Sequence, residues 1–350
     1  MFQDLGFEQL TPREAALIFG LGIGLIFGVF AQISRFCLRS SLVGENRAAA
    51  GGIWAAAFAV AIIGTQALVA AGYMDFAAHR YLASDLPFVA LVVGGLAFGT
   101  GMVLTRGCVS RLTVLVAGGN LRALTVLLIF AITAHATLKG ILAPLRVWLG
   151  SFTLDLGANA GLSSLPGGAW LWVAILALPA LWLVLRSGAR LTHLALGAAI
   201  GALVPLAWVG TSFVLFDEFD PIAAESLSFT LPFAETLFWT IASSAVPAGF
   251  GTGLIGGVLL GAFTSSLVRR EFAWASFDNP TTTGRYAFGG VLMGLGGVLG
   301  GGCTLGAGLS GVATLSIAAL ITLAAIIAGA LVTQRVLGTS IQGAAIPQTA

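Results

Sequence analysis

The sequence predicts an all-α polytopic membrane protein with about nine transmembrane helices, short re-entrant helices and an inverted pseudo-twofold repeat. Of its 350 residues, 58% are hydrophobic and only 9% are charged, and the mean hydropathy is +1.00. Soluble domains carry about 25% charged residues, so a soluble enzyme, a disordered chain and a nucleic-acid binder with a basic patch are excluded. Long apolar runs and a recurring glycine motif complete the prediction, and we assign residues 1–350 to a single membrane domain.

Nine apolar runs are long enough to cross a bilayer. A hydrocarbon core of about 30 Å requires about 20 apolar residues in a helix, whereas a β-barrel would show alternating segments of about 10 residues. We predict spans at 15–36, 49–72, 88–106, 122–144, 168–186, 191–209, 246–268, 284–302 and 316–337.

Three shorter connections are also apolar, at 109–119, 233–245 and 304–314. They are too short to cross a bilayer and too apolar for loops in water. Non-helical backbone at membrane depth occurs where it is buried in protein or lines a cavity. We therefore predict that these three connections are re-entrant segments lining a cavity.

The basic residues predict the orientation. With Met1 outside and nine spans, 12 of the 16 basic residues fall on one side, and the other side receives only Arg13, Arg80, Lys139 and Arg146. Lysine and arginine concentrate in cytoplasmic loops. We expect an outside N-terminus and a cytoplasmic C-terminus.

The N-terminal segment lacks the features of a secretory signal peptide. It carries Asp4, Glu8 and Glu14 instead of a basic region, and no small-residue cleavage site follows the first apolar run. Signal peptides have both features. We expect this segment to be retained.

A repeated motif carries all the cysteines. Residues 24–37, 95–108 and 290–303 align without gaps and share the pattern G-x3-G-x8-C. The motifs end at Cys37, Cys108 and Cys303. A common register for every cysteine indicates a shared role in a repeated structure.

A fourth copy completes a twofold arrangement. Residues 197–210 keep both glycines and place Gly210 at the cysteine position, while residues 257–270 keep the glycines alone. We prefer the first match because it maps the first four spans onto the last four with opposite orientation. The predicted division is a first repeat half at 15–145, a connector helix at 168–186 and an inverted second half at 191–337. Inverted repeats of transporters hold substrate near the midplane.

The cysteines allow four interpretations. In the first, they are small apolar side chains that fill space and do no chemistry. In the second, they bind zinc, but three thiolates leave the site without a fourth ligand. In the third, they form a disulfide, which would use only two of the three. The fourth interpretation is a thiol-lined path, because soft thiols suit a sulfur-bearing substrate. Short segments follow the cysteines at 38–42, 109–119 and 304–311, and helix N-termini there would hold an anion without a full counter-charge.

The motifs SRFC, TRGC and GGGCTLGAGLSG, on glycine-rich spans, resemble the YeeE/YedE family of bacterial sulfur-compound transporters. The resemblance extends over essentially the whole chain. It implies an inner-membrane protein that imports thiosulfate along cysteine thiols by hydrogen bonding, and it assigns this role to Cys37, Cys108 and Cys303. Members differ in cargo, which includes selenium and other sulfur species.

The resemblance also concerns partners. Some members cooperate with a small TusA-like sulfur carrier, encoded separately or fused. The sequence shows no fused carrier domain, so the resemblance allows a carrier here only as a separate protein. The bilayer is an expected partner, and nucleic acid, metal and cofactor are not. The glycine-rich stretches at 20–24 and 294–302 follow no strand of a βαβ unit and lack a Walker lysine, so we reject nucleotide binding.

Four further polar residues are candidates for the pathway. Gln66 and His135 lie inside apolar spans, where polar groups are costly and often line a path. Arg35 and Arg106 stand two residues before a cysteine, where they would attract or release an anion. The alternatives are interhelical hydrogen bonds for Gln66 and His135, and membrane orientation for the arginines.

The sequence favours a transporter over an enzyme. The leading hypothesis is thiosulfate import by handoff between thiols, with Cys303 and Cys108 near the centre and Cys37 to one side. The alternative is a membrane sulfurtransferase, in which a cysteine thiolate activated by Arg35 or Arg106 forms a persulfide and passes sulfur to a carrier. A third hypothesis, a scaffold protein, predicts that the cysteines tolerate substitution.

Overall fold

The structure, a computed structural model, describes residues 10–77, 79–157, 160–277 and 279–341. Met1, Asp4 and Glu8, on which the N-terminal predictions depend, lie outside the described residues. The described chain forms α1 (Pro12–Ser34), α2 (Leu38–Val43), α3 (Arg47–Ala70), α4 (Phe88–Leu104), α5 (Val109–Ala117), α6 (Leu121–Lys139), α7 (Ala143–Gly150), α8 (Gly168–Arg186), α9 (Leu191–Val209), α10 (Thr230–Ile241), α11 (Phe250–Val268), α12 (Pro280–Leu299) and α13 (Ile317–Ile341). Two π-helical turns, Gly210–Val214 and Gly306–Gly311, and two 3-10 turns, Arg80–Leu82 and Leu162–Ser164, complete the helical structure.

Eight segments of the described chain are long and apolar enough to cross a bilayer, which confirms the all-α polytopic membrane fold. They contain α1 with α2, α3, α4 with α5, α6, α8, α9 with its π-helical turn, α11 and α13. The ninth predicted span, 284–302, corresponds to α12, whose 20 residues extend about 30 Å. Its six glycines and Arg285 make α12 less apolar than the eight, and it packs against α4 and α6.

Short helices occupy the segments predicted to be re-entrant. α5 lies within 109–119 and the second π-helical turn lies within 304–314, whereas α10 begins slightly before 233. One feature was not predicted: β1 (Asp85–Leu86) and β2 (Leu154–Asp155) form a short antiparallel ribbon between connections. The ribbon lies outside the predicted spans and leaves the bundle all-helical.

The G-x3-G pairs bring helices together backbone to backbone. A Cβ atom at Gly24 or Gly28 would overlap the carbonyl oxygens of Leu254 and Val258 on α11. The pairs of the other three copies approach their partner helices in the same way: Gly95 and Gly99 meet α13, Gly197 and Gly201 meet α3, and Gly290 and Gly294 meet α6. Small residues permit this close approach in a bilayer, where apolar burial alone does not drive helix association.

The helix pairing is the same for both predicted halves. In the predicted map, α1, α3, α4 and α6 correspond to α9, α11, α12 and α13. The contact of α1 with α11 then corresponds to the contact of α9 with α3, and the contact of α4 with α13 corresponds to that of α12 with α6. α8 lies at the outside of this arrangement, contacts α3, and exposes Leu178 and Leu185. This pairing supports the division into two halves and a connector, which stays a prediction.

Candidate functional site

A common backbone break precedes each cysteine. Arg35, Arg106 and Gly301, each two residues before a cysteine, adopt left-handed φ angles of 54°, 60° and 70°. Glycine enters this conformation freely, whereas other residues pay about 1–2 kcal/mol for it. The fourth copy differs, because Gly210 has helical dihedral angles and α9 continues through it as a π-helical turn. The repeated sequence register therefore produces a helix break only where a cysteine follows.

A backbone amide lies beside each cysteine sulfur. Cys303 Sγ accepts a hydrogen bond of 3.4 Å from the amide of Gly306, three residues later. The corresponding amides beside the other two sulfurs belong to Ser40 and Arg111, although neither closes a full capping hydrogen bond. Amide donors at the start of a helical segment favour negative charge. The three thiols thus share a local environment that suits an anion.

Cys37 and Cys108 form a pair. Their side chains are near neighbours inside the bundle, and the two residues are only 4% and 1% exposed. Cys108 Sγ also lies 3.3 Å from Ser110 Oγ. The guanidinium of Arg111 lies near both thiols. Two of the three repeated cysteines therefore lie together, Cys37 directly before α2 and Cys108 directly before α5.

Cys303 lies apart from that pair, in the segment between α12 and the second π-helical turn, and is 1% exposed. Tyr81 secures this segment, since its hydroxyl donates a hydrogen bond of 2.9 Å to the carbonyl of Gly306. Tyr81 also borders a cavity of about 290 Å³ that contains Glu225 in its wall. Gly302, next to Cys303, borders a smaller cavity of about 40 Å³.

A large cavity lies beside Cys37 at the other end of the bundle. We call it the arginine cavity; its volume is about 640 Å³, and its wall includes Cys37, Arg35, Arg39, Arg106 and Arg285. Glu225 also lines a cavity of about 310 Å³ with Arg13, which stands at the start of α1. Arg35 follows the end of the same 23-residue helix, so about 35 Å separates the two ends.

The structure separates the four further candidates into two groups. Arg35 and Arg106 line the arginine cavity. Gln66 is buried and donates a hydrogen bond of 2.7 Å to the carbonyl of Ala313, which ties α3 to the segment that follows Cys303. His135 stacks on the ring of Phe238 with 4.8 Å between the ring centroids. Gln66 and His135 therefore form the second group, whose side chains contact other helical segments.

Sequence reasoning missed several residues near the thiols. Arg39 stands two residues after Cys37 and Arg35 two residues before it, and this pair of flanking arginines was a usable signal. Arg285 comes from α12, and no local pattern connects it with Cys37. Tyr81 lies in a connection outside every predicted span.

The cavity near Cys303 carries titratable groups with shifted pKa values. Burial, with a smaller contribution from Glu235, raises the pKa of Glu225 to about 7. Burial and then the charge of Arg80 lower the pKa of His79 to about 4. Loss of hydration disfavours the charged form in both cases. The Glu225 carboxyl therefore changes charge near neutral pH.

Comparison with known proteins identifies the family. The family described as Sulphur transport matches residues 33–332. The chain is 25% identical over 309 residues to "Thiosulfate transporter TsuA" of Escherichia coli (strain K12), covering 80% of this chain and 83% of that protein. It is 26% identical over 318 residues to "Thiosulfate transporter TsuA" of Spirochaeta thermophila, covering 80% of this chain and 86% of that protein. With its buried cysteines and membrane-spanning helices, the chain belongs to the Sulphur transport family.

Proposed function

We propose that this protein imports thiosulfate across the bacterial inner membrane and is a transporter, not an enzyme. The names of both relatives support the cargo. The distribution of basic residues supports an outside N-terminus, which makes the arginine cavity the cytoplasmic end. Cys303 and its neighbouring cavities then lie toward the outside.

The observation that carries the proposal is the placement of three buried thiols between cavities at opposite ends of the bundle. In the proposed order, thiosulfate enters beside Cys303, passes to Cys108 and leaves past Cys37, which lines the arginine cavity. Each thiol donates a weak hydrogen bond to the anion, and at Cys303 the Gly306 amide that donates to the sulfur strengthens the thiol as a donor. Weak, repeated contacts allow both entry and release.

The two-half architecture suits this path. Each helix of the half 15–145 makes the same helix contacts as its counterpart in the half 191–337. α8, at the outside, serves as the connector. In transporters built from inverted repeats, one part moves against the other around a central site. Cys108 and Cys303 occupy equivalent positions in the two proposed halves.

Substitution of the thiols tests the relay. We expect Cys37→Ala, Cys108→Ala and Cys303→Ala each to reduce uptake of radiolabelled thiosulfate into proteoliposomes at least about tenfold, since each removes one station of the path. Ser151→Ala is a matched control, because this exposed hydroxyl bonds only the nearby Trp148 carbonyl among the described contacts. Retained uptake in all three cysteine variants would contradict the relay.

Sulfurtransfer is the second candidate, favoured by Arg111 beside the paired thiols, where it would stabilise a thiolate. The Cys37 or Cys108 thiolate would attack the outer sulfur of thiosulfate, the S–S bond would break, sulfite would leave, and a separate TusA-like carrier would accept the persulfide sulfur. Intact-mass analysis after thiosulfate exposure separates the candidates. A trapped adduct of one added sulfur atom favours transferase chemistry, and its absence favours the relay.

A further inference from the structure

The arginine cavity concentrates more positive than negative charge in its wall. Four arginines line it, and Glu45 supplies the carboxylate in its wall. Arg39 lies close enough to Arg106 and Arg285 for mutual repulsion. Like charges held together in a partly buried cavity destabilise the protein unless an anion or solvent compensates them.

Two of these guanidinium groups also have unsatisfied donors. The Nε atoms of Arg39 and Arg285 are buried and have no hydrogen-bond partner within the described part of the chain. Leaving a buried donor unpaired costs about 1–3 kcal/mol, and more for a charged group. Both side chains line the cavity, so a ligand there would supply the acceptors. A guanidinium binds the oxygen atoms of carboxylates, phosphates and similar oxyanions in a forked geometry.

The backbone gives a further indication. Arg35 and Arg106 hold left-handed conformations that glycine would adopt at lower cost, and Gly301 does so at the equivalent position of the third copy. Both arginines line the same cavity. Arg270 and Leu315 share this conformation outside the cavity wall, so the strain supports a use of the Arg35 and Arg106 side chains only together with the charge and the unpaired donors of the cavity.

We infer that the arginine cavity is an oxyanion-binding site that selects tetrahedral sulfur dianions by charge and oxygen geometry, separately from the thiols, which select for sulfur. Thiosulfate as one occupant rests on the proposed function, whereas sulfate, which lacks the outer sulfur, tests the site by itself. The site would hold sulfate without passing it along the thiols. Sulfate supplied from the cavity side would therefore slow thiosulfate uptake by occupying the exit.

Sulfate binding to the purified full-length protein tests this inference. Calorimetric titration with sodium sulfate, against sodium chloride at equal ionic strength, should show saturable binding to the unsubstituted protein. Arg39→Gln with Arg285→Gln should weaken binding about tenfold or more, because charge-assisted donors are lost. Arg269→Gln is the matched control, since Arg269 pairs with Glu271 at the surface and lies outside the cavity wall.

A second measurement locates the bound anion. Sulfate should slow the modification of Cys37 by the neutral reagent N-ethylmaleimide, read by peptide mass spectrometry, and should leave Cys303 unaffected, because only Cys37 borders the cavity. Size-exclusion profiles show whether the variants remain folded. If a variant is not folded, protection of Cys37 by sulfate in the unsubstituted protein decides whether sulfate binds in the arginine cavity.

The outcomes separate this inference from the proposed function. Absent sulfate binding, unchanged affinity in the double arginine variant, or no protection of Cys37 would each overturn the oxyanion site. Intact sulfate binding in a protein that fails to take up thiosulfate would instead contradict the transport proposal and leave the oxyanion site standing.

Discussion

The hydroxyl of Tyr81 donates a hydrogen bond of 2.9 Å to the carbonyl of Gly306, whose own amide donates to Cys303 Sγ at 3.4 Å. A connection outside the predicted spans thus holds the segment that carries one of the three thiols. Tyr81 is buried, so this carbonyl has little access to replacement by bulk water. The contact links the wall of the cavity that contains Glu225 to the position of a sulfur atom.

Tyr81→Phe should therefore affect both stability and transport. Removal of the hydroxyl leaves a buried carbonyl without this partner, and we expect a loss of about 1–3 kcal/mol in the free energy of unfolding. Uptake should fall further than stability alone explains, because Cys303 loses its fixed position. Tyr73→Phe, at an exposed ring packed on Phe213, is the control for thermal unfolding and uptake. Normal uptake by Tyr81→Phe would restrict Tyr81 to a structural role.

Substitution of Arg106 separates backbone strain from side-chain function. Arg106→Gly removes the strain of a φ of 60°, whereas Arg106→Ala keeps it, so the glycine variant should be more stable by about 1 kcal/mol. Both variants should lose thiosulfate uptake to the same extent, since both lack the guanidinium. Thermal unfolding and uptake of the two variants are compared side by side. Higher uptake in the glycine variant would show that strain, not charge, matters there.

Glu225 should make stability depend on pH. Burial and then Glu235 raise its pKa to about 7. The stabilising contribution of this carboxyl to the free energy of unfolding is therefore fully present below about pH 4.5 and is lost as the pH rises through about 7. His79 opposes this trend, because its lowered pKa of about 4 removes stability as the pH falls below about 6.5. Arg80 and Arg13 also border the cavities that contain Glu225.

The difference between the unsubstituted protein and Glu225→Gln isolates this group. We expect that difference in melting temperature to change between pH 4.5 and pH 7, with the unsubstituted protein losing stability relative to the variant as the pH rises. Glu235→Gln should move the transition to lower pH because it removes the repulsion. A constant difference over this range would contradict the raised pKa.

The contact of α1 with α11 should tolerate no side chain at Gly257. A Cβ there would overlap the carbonyl oxygen of Leu21, so Gly257→Ala should lower the free energy of unfolding by about 1–3 kcal/mol or more. The adjacent Gly256 has open space, and Gly256→Ala should raise stability by up to about 1 kcal/mol through better helix propensity. Thermal unfolding in detergent measures both. Equal effects of the two substitutions would refute close backbone packing.

Much of the fold was predictable because the relevant signals are local. A run of apolar residues predicts a span from its own length, and the spans 168–186 and 191–209 agree with α8 and α9 at both ends. Other ends were less accurate: the predicted span 122–144 continues past Lys139, where Gly140 ends α6. The glycine register likewise predicted close helix contacts, which all four copies make.

The grouping of site residues was less predictable. The repeat placed Cys37 and Cys108 in one register but could not place them side by side, since that depends on how α1, α2, α4 and α5 meet. Arg285 reaches the arginine cavity from a helix distant in sequence. Such contacts between helices depend on backbone approach, which no local periodicity reports.

By itself, the sequence determined that this chain crosses a bilayer several times, that its helices approach through glycine, and that every cysteine ends the same motif. These properties follow from the amino-acid composition and from the spacing of residues along the sequence. Only the tertiary structure decided that two thiols form a pair, that the third lies toward the other end, and that four arginines surround one cavity. The physical reason is that charge and thiol chemistry depend on distances across helices, and packing of whole helices sets those distances.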